Sequence, residues 1–282
     1  MESTVLERLH DIWKRMCSNR LAPVCAVLLA VIVVSALLAP LSPYDPDALS
    51  ADRLAAPCLE HPLGTDDLGR DTFTRALYGG RISLLVGFAA MAVAVVVGTF
   101  VGTVSGYIGG KVDAVLMRIV DMFLSVPSLL FIIVIYAFAP RNLVTLVCML
   151  AFFSWTSVAR VTRAQTLTIK EREYVTAART LGAGHARIVL RYIIPNLLPQ
   201  VIVAASLAVA NAILDESALS FLGYGVQLPM SSWGSMLQGA QQYILHAPVL
   251  ALVPGMFILL TVLSFNVLGD ALQHALDPKS RR

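Results

Sequence analysis

A helix needs about 20 mostly apolar residues to cross the hydrocarbon core of a bilayer, and this chain of 282 residues carries six such runs. They lie near positions 21–39, 82–104, 114–138, 143–161, 193–214 and 248–268. Inside hydrocarbon no water is available to the backbone, so each run must satisfy its own N–H and C=O groups, which an apolar run does as a helix. The composition agrees: 57% of residues are hydrophobic and 14% charged, against about 45–50% and 25% in soluble domains. The expectation is an all-α membrane protein of six transmembrane helices.

The first run follows a basic start (Arg8, Lys14, Arg15, Arg20). It is long for the apolar region of a secretory signal, and no small-x-small cleavage pattern precedes Pro40, so it is expected to remain as an anchor. The stretch 41–80 is rich in proline and acid (Pro43, Asp45, Pro46, Asp47, Asp66, Asp67, Asp71) and reads as an external loop. Cytoplasmic connections retain Lys and Arg. Here Arg160, Arg163, Lys170, Arg172, Arg179, Arg187 and Arg191 crowd the connection between runs four and five, Lys279, Arg281 and Arg282 close the sequence, and 192–278 has neither residue type. This sorting predicts both termini in the cytoplasm: a segment 1–20, a helix 21–40, the external loop 41–80, a five-helix core 81–270 and a tail 271–282. Arg53, Arg70, Arg75 and Arg81 run against the rule. The net charge of +3, gathered into a few connections, gives no footprint for nucleic acid.

The segment 171–192 reads as helix, glycine break, helix. Glu171 to Leu181 holds good helix formers, and Gly182 or Gly184 can take the left-handed conformation that ends them. His185 to Tyr192 then forms a short amphipathic helix, with Ile188 and Val189 on one side and Arg187 and Arg191, four apart, on another. Charge alone would also suit, less well, a basic loop that only fixes topology.

Ala177-Ala178, Gly182 and Pro195 resemble the coupling motif of binding-protein-dependent importer permeases, in which a Glu-Ala-Ala run, a glycine and a proline recur. The resemblance extends through His61-Pro62-Leu63-Gly64-Thr65-Asp66-Asp67-Leu68-Gly69-Arg70-Asp71, Arg81-Ile82-Ser83-Leu84, Glu216-Ser217-Ala218-Leu219-Ser220-Phe221-Leu222-Gly223, Ser232-Trp233-Gly234, Gly269-Asp270-Ala271-Leu272 and Leu276-Asp277-Pro278. These look like the dipeptide, oligopeptide and nickel permeases of ATP-binding-cassette importers. The resemblance implies the type I importer fold in a bacterial inner membrane, a sister permease, two cytoplasmic ATPase subunits that bind ATP and Mg, and an external binding protein. No cofactor is expected in this chain. The residues it implies for coupling to the ATPase are Glu173, Thr176, Ala177, Ala178, Gly182, His185, Arg187 and Pro195. Thr176 stands where the motif has an acid, and Glu173, three residues upstream, is the alternative source of that charge.

For the translocation path or gate the candidates are Asn211, Asp215, Glu216 and Asn266, since polar groups in spans mark pathways; an interhelical hydrogen bond suits the asparagines equally, and a water-facing helix end suits the acids. The chain is not expected to be an enzyme. A phosphate-cradling loop needs G-x-x-x-x-G-K-[ST], and Gly110-Lys111-Val112 has Ser105 at the first glycine and valine at the hydroxyl. Short peptides are the leading cargo, with nickel or a metal chelate as the alternative. His10, His61, His185, His246 and His274 and the four cysteines show no ligand spacing. An ion-coupled secondary transporter would need buried carboxylates or broken helices at mid-membrane, and a membrane hydrolase a G-x-S-x-G or H-E-x-x-H signature; none of these is evident in the sequence.

Overall fold

In a computed structural model of the chain, residues 14–276 apart from Ser18 are described; the expectations for the first residues and for the tail from position 277 lie outside them. Among the described residues the principal α-helices are α1 (Leu21–Leu37), α2 (Thr72–Ile108), α3 (Gly110–Ser125), α4 (Ser128–Phe138), α5 (Leu143–Lys170), α6 (Glu173–Thr180), α7 (His185–Ile188), α8 (Ile194–Phe221), α9 (Trp233–Ala240) and α10 (Val249–Leu276). The expected all-helical architecture is present. Four helical stretches are long and apolar enough to span a membrane: α2, α5, α10 and the continuous stretch His185–Phe221. A fifth results if α3 and α4 count as one span. The remaining run, α1, has 17 residues, about 26 Å at 1.5 Å per residue, at the short limit for a core of about 30 Å.

The third apolar run is not the single straight span that its hydropathy predicts. It bends by 83° between α3 and α4. Proline disfavours the helical region for the residue before it, and Val126, preceding Pro127, is extended at φ −104°, ψ 132°. Pro127 also brings no N–H to bridge the gap.

Close approach of α2 to α5 organises the bundle. Gly98, Gly102 and Gly106 form a stripe with a four-residue period on the face of α2 that meets Val158, Thr162 and Thr166 of α5. A Cβ on Gly98 would stand 2.6 Å from the Trp155 carbonyl oxygen. Thr162 Oγ1, against this stripe, donates 3.1 Å to the Gly98 carbonyl. Small residues that let backbones approach are how helices associate in lipid, where apolar area gives no drive.

Two ends of the bundle follow from the connections. At one end the loop before α2 is held by its own polar residues. Asp66 accepts from the N–H of Leu68 and of Arg70 at 2.9 Å each and from Arg70 Nε at 2.7 Å. Asp71 caps α2 by accepting from Thr74 N at 2.7 Å and meets His61 Nδ1 at 2.9 Å. Arg75 is buried beside Asp66 at 3.5 Å and Asp47 at 3.8 Å. Two of the arginines that run against the charge rule are thus neutralised inside the loop. The short helix α9 sits at the same end. At the other end lie the reversal Gly109-Gly110, α6, α7 and the end of α10.

Candidate functional site

The α6–α7 knob presents an exposed surface over a buried apolar side. Val175 of α6 and Ile188 of α7 turn inward onto Ile169, Ile193 and Leu197 and Ala178 is also buried, while Glu173, Tyr174, Thr176, Ala177, Arg179 and Arg187 face outward. Its turn has a defined geometry. Gly182 N donates to the Arg179 carbonyl and Ala183 N to the Ala178 carbonyl, each at 3.0 Å, the paired bonds that close a helix with a left-handed residue. Gly182 is that residue, at φ +81°, whereas Gly184 is extended at φ −66°. Sequence left the two open because only the backbone distinguishes them. Ala183 packs back on the apolar cluster that holds Val175.

The second half of the knob differs from the expected separate helix. After four residues of α7 the chain makes a π-turn, Val189–Ile193, and runs without a break into α8. Pro195 lies directly after the π-turn, in the first turn of α8, so the bond its missing N–H gives up falls where the pairing changes from π to α. α7 and α8 thus form one helical stretch, His185–Phe221. Tyr107 at the end of α2 shares a hydrogen bond of 2.8 Å with His185 Nδ1. Nearby, Arg163 binds Asp113 at 2.5 and 2.6 Å, and Lys170 Nζ donates 2.8 Å to the Gly106 carbonyl. These contacts fasten α2, α3 and α5 together beside the knob. Glu173 and Thr176 are both exposed, so either can present a polar group outward.

A hollow of about 540 Å³ lies between the α3–α4 break, α5 and α8, lined among others by Phe123, Pro127, Phe153, Asn211 and Asp215. A second, of about 440 Å³, lies along the same two helices toward the knob and includes Gln165, Arg172, Gln200 and Gln273. The two share Val161, Ala204 and Leu207. One groove thus follows α8 from Asp215 to Arg172. Of the four path candidates, Asn211 and Asp215 line it; Asn266 is half-buried on α10 and lines neither hollow.

Glu216 points the other way. Fully buried, it accepts from Ser83 Oγ of α2 at 3.0 Å and Ser220 Oγ at 2.6 Å. Ser83 in turn accepts from Trp233 N at 3.2 Å, and Ser232 Oγ reaches Ser220 Oγ at 3.3 Å. It is not a helix-end carboxylate facing water: α8 continues to Phe221 and buries it as a hub joining α2, α8 and the start of α9. Trp233, 1% exposed, adds Nε1–H to the Ala76 carbonyl at 2.9 Å and stacks on Phe257. The serines of this hub and the glutamines of the groove had no periodic signal in sequence; the hub's partners are far apart in the chain and meet only in the fold.

The family model of the binding-protein-dependent transport system inner membrane component matches residues 94–282, and that of the N-terminal TM domain of oligopeptide transport permease C matches residues 8–57. The chain is 44% identical to the oligopeptide transport system permease protein OppC of Escherichia coli strain K12, over 96% of this chain and 91% of that protein. It is 41% identical to the dipeptide transport system permease protein DppC of Bacillus subtilis strain 168, over 98% of this chain and 88% of that protein. Among solved structures, the MetNI methionine ABC transporter in inward-facing conformations is similar at a TM-score of 0.59 and 20% identity, covering 72% of this chain and 96% of that one. That likeness speaks for the fold.

Proposed function

This chain belongs to the family of binding-protein-dependent transport system inner membrane components, and from that premise we propose that it forms half of the path of an ATP-driven importer of short peptides. The permease does no chemistry of its own. Its partners in this reading are a sister permease, two cytoplasmic ATPase subunits holding ATP and Mg, and an external binding protein that delivers cargo. The chain crosses a bacterial inner membrane six times, with α1 and the bent α3–α4 pair as spans, the loop 41–71 and the first turns of α2 outside, and segments 1–20 and 271–282 in the cytoplasm. The relatives described above are peptide permeases, which favours peptides over nickel or a chelate.

The observation that carries the reading is the continuity of the exposed knob with α8, the helix that lines the groove. Glu173, Thr176, Ala177, Ala178, Gly182, His185, Arg187 and Pro195 form or aim the surface that meets the ATPase. Closure of the ATPases on nucleotide would move this surface, and α8 would carry the movement to Asn211 and Asp215. The groove then alternates between two facings, with ATP supplying the differential free energy between them. Glu216 holds α9 to α2 and α8 at the outer end.

Because the knob must face the compartment that holds ATP, its sidedness tests the reading. Arg172→Cys, in a background lacking the other cysteines, is expected to resist an impermeant maleimide in intact spheroplasts and to react after permeabilisation. Native Cys58, exposed in the loop before α2, is expected to react at once when it is the only cysteine kept. Rapid labelling at position 172 from outside would place the knob where no cytoplasmic ATPase reaches it.

A further inference from the structure

Asp215 is an acid drawn into a cavity and, among the described residues, left without a partner. Most carboxylates in or beside the spans are matched: Asp113 by Arg163, Asp121 by Arg160, and Glu216 by serine hydroxyls. Asp215, half-buried in the wall of the 540 Å³ hollow, makes no hydrogen bond or ion pair among the described residues. The residues lining that hollow include no Lys, Arg or His. Its other hydroxyls are partly used up locally, Ser154 Oγ donating to the Leu150 carbonyl and Thr156 Oγ1 to that of Phe153, both at 2.8 Å. Asn211, one turn back along α8 on the same face, is likewise unbonded.

An unmatched carboxylate away from bulk water attracts cations and repels anions more strongly than one in water. Peptides of differing sequence share one cation, the α-ammonium group at the amino terminus. A path for many sequences cannot rely on side chains, but it can hold that group. We infer that Asp215 is the counter-charge for the α-ammonium of a peptide in transit, with Asn211 one turn away to meet the first peptide units by donating from its amide and accepting at its oxygen. The aromatic wall of Phe123 and Phe153 offers an apolar surface to side chains. In this geometry the amino terminus rests at the α9 end of the groove and the rest of the peptide extends toward Gln200. The inference rests on the proposed peptide cargo.

The test uses the four-part complex in nanodiscs without the binding protein, so that selection by that protein does not enter. Two probes are compared: a tripeptide with a central photoreactive benzoylphenylalanine and a free amino terminus, and its N-acetylated counterpart. The free probe is expected to cross-link to the lining of the hollow about fivefold more than the acetylated one, the scale of a partly exposed ion pair. Asp215→Asn is expected to bring that ratio close to one, and Asp215→Glu to restore it. A merely structural role would lower both yields together and leave the ratio unchanged, which would overturn the inference. Equal labelling by both probes in the wild-type complex would also overturn it while leaving the peptide path standing. Absence of cross-links from either probe would remove the path and the inference together.

Discussion

Gly102→Val is expected to remove most of the permease from the membrane fraction. A Cβ at Gly102 would lie 1.9 Å from Thr162 Oγ1, 2.4 Å from the Ala159 carbonyl oxygen and 2.9 Å from Arg163 N. Two of these atoms are backbone, so no side-chain rotation relieves the overlap, and the third belongs to a threonine bonded to the Gly98 and Val158 carbonyls. α2 and α5 would have to separate along their contact, stretching the Asp113–Arg163 and Lys170–Gly106 links beside it. Overpacking in a well-filled core costs about 1–3 kcal/mol, and clashes with backbone belong at or above the upper end. A loss of about 2 kcal/mol changes abundance several-fold in cells. Quantitative blotting of membranes, together with thermal denaturation of the purified complex, measures it. Gly239→Ala, where a Cβ meets nothing within 4 Å, is expected to behave as wild type. Wild-type amounts and stability for Gly102→Val would mean that the two helices do not pack through this stripe.

Gly182→Val, by contrast, is expected to leave the protein in the membrane at normal levels and to uncouple ATP hydrolysis from transport. No neighbour obstructs a side chain here, since a Cβ on Gly182 meets nothing within 4 Å. The cost is in the backbone: at φ +81° an L-residue is strained by about 1–2 kcal/mol, more for a β-branched one. The strain falls on the paired bonds from Gly182 and Ala183 back to α6, and relaxing it would swing α6 against α7. Because interfaces close-pack, a shift of about 1 Å is enough to spoil a docked fit. Cargo-stimulated ATPase activity and uptake in the purified complex are expected to fall together by about tenfold or more, on the scale of 1.4 kcal/mol per decade, while basal insertion is unchanged. Normal uptake with normal stimulation would reduce the turn to a simple loop.

The apolar runs and the glycine break of the knob could be read in the sequence because each depends on local chemistry: side-chain transfer free energy in one case, backbone freedom in the other. What depends on packing could not. Pro127 ends a helix, yet Pro199 and Pro254 sit inside α8 and α10 without ending either, so proline alone does not locate a break; neighbouring helices decide whether the freed backbone groups are accommodated. Asp215 and Glu216 are adjacent in sequence but about 100° apart around a helix. One enters the groove and the other the serine hub, and only the placement of α2 and α9 makes that distinction. Ser83 and Glu216 lie 133 positions apart, a separation over which no periodicity speaks. The arginines of the loop before α2 are a similar case, since counting charges does not reveal that Arg70 and Arg75 are paired with Asp66.

In the proposed function, transport through this permease is powered by nucleotide hydrolysis on partner subunits and passed inward through the α6–α7 knob. It is tested most directly in proteoliposomes holding the permease, its sister permease, the two ATPases and a peptide-loaded binding protein, by following uptake of a labelled tripeptide. Uptake is expected with ATP and Mg, expected to persist when a protonophore collapses the proton gradient, and expected to be absent when a pH gradient is imposed without nucleotide. Tripeptide accumulation driven by the pH gradient alone would contradict it and would make the chain an ion-coupled carrier.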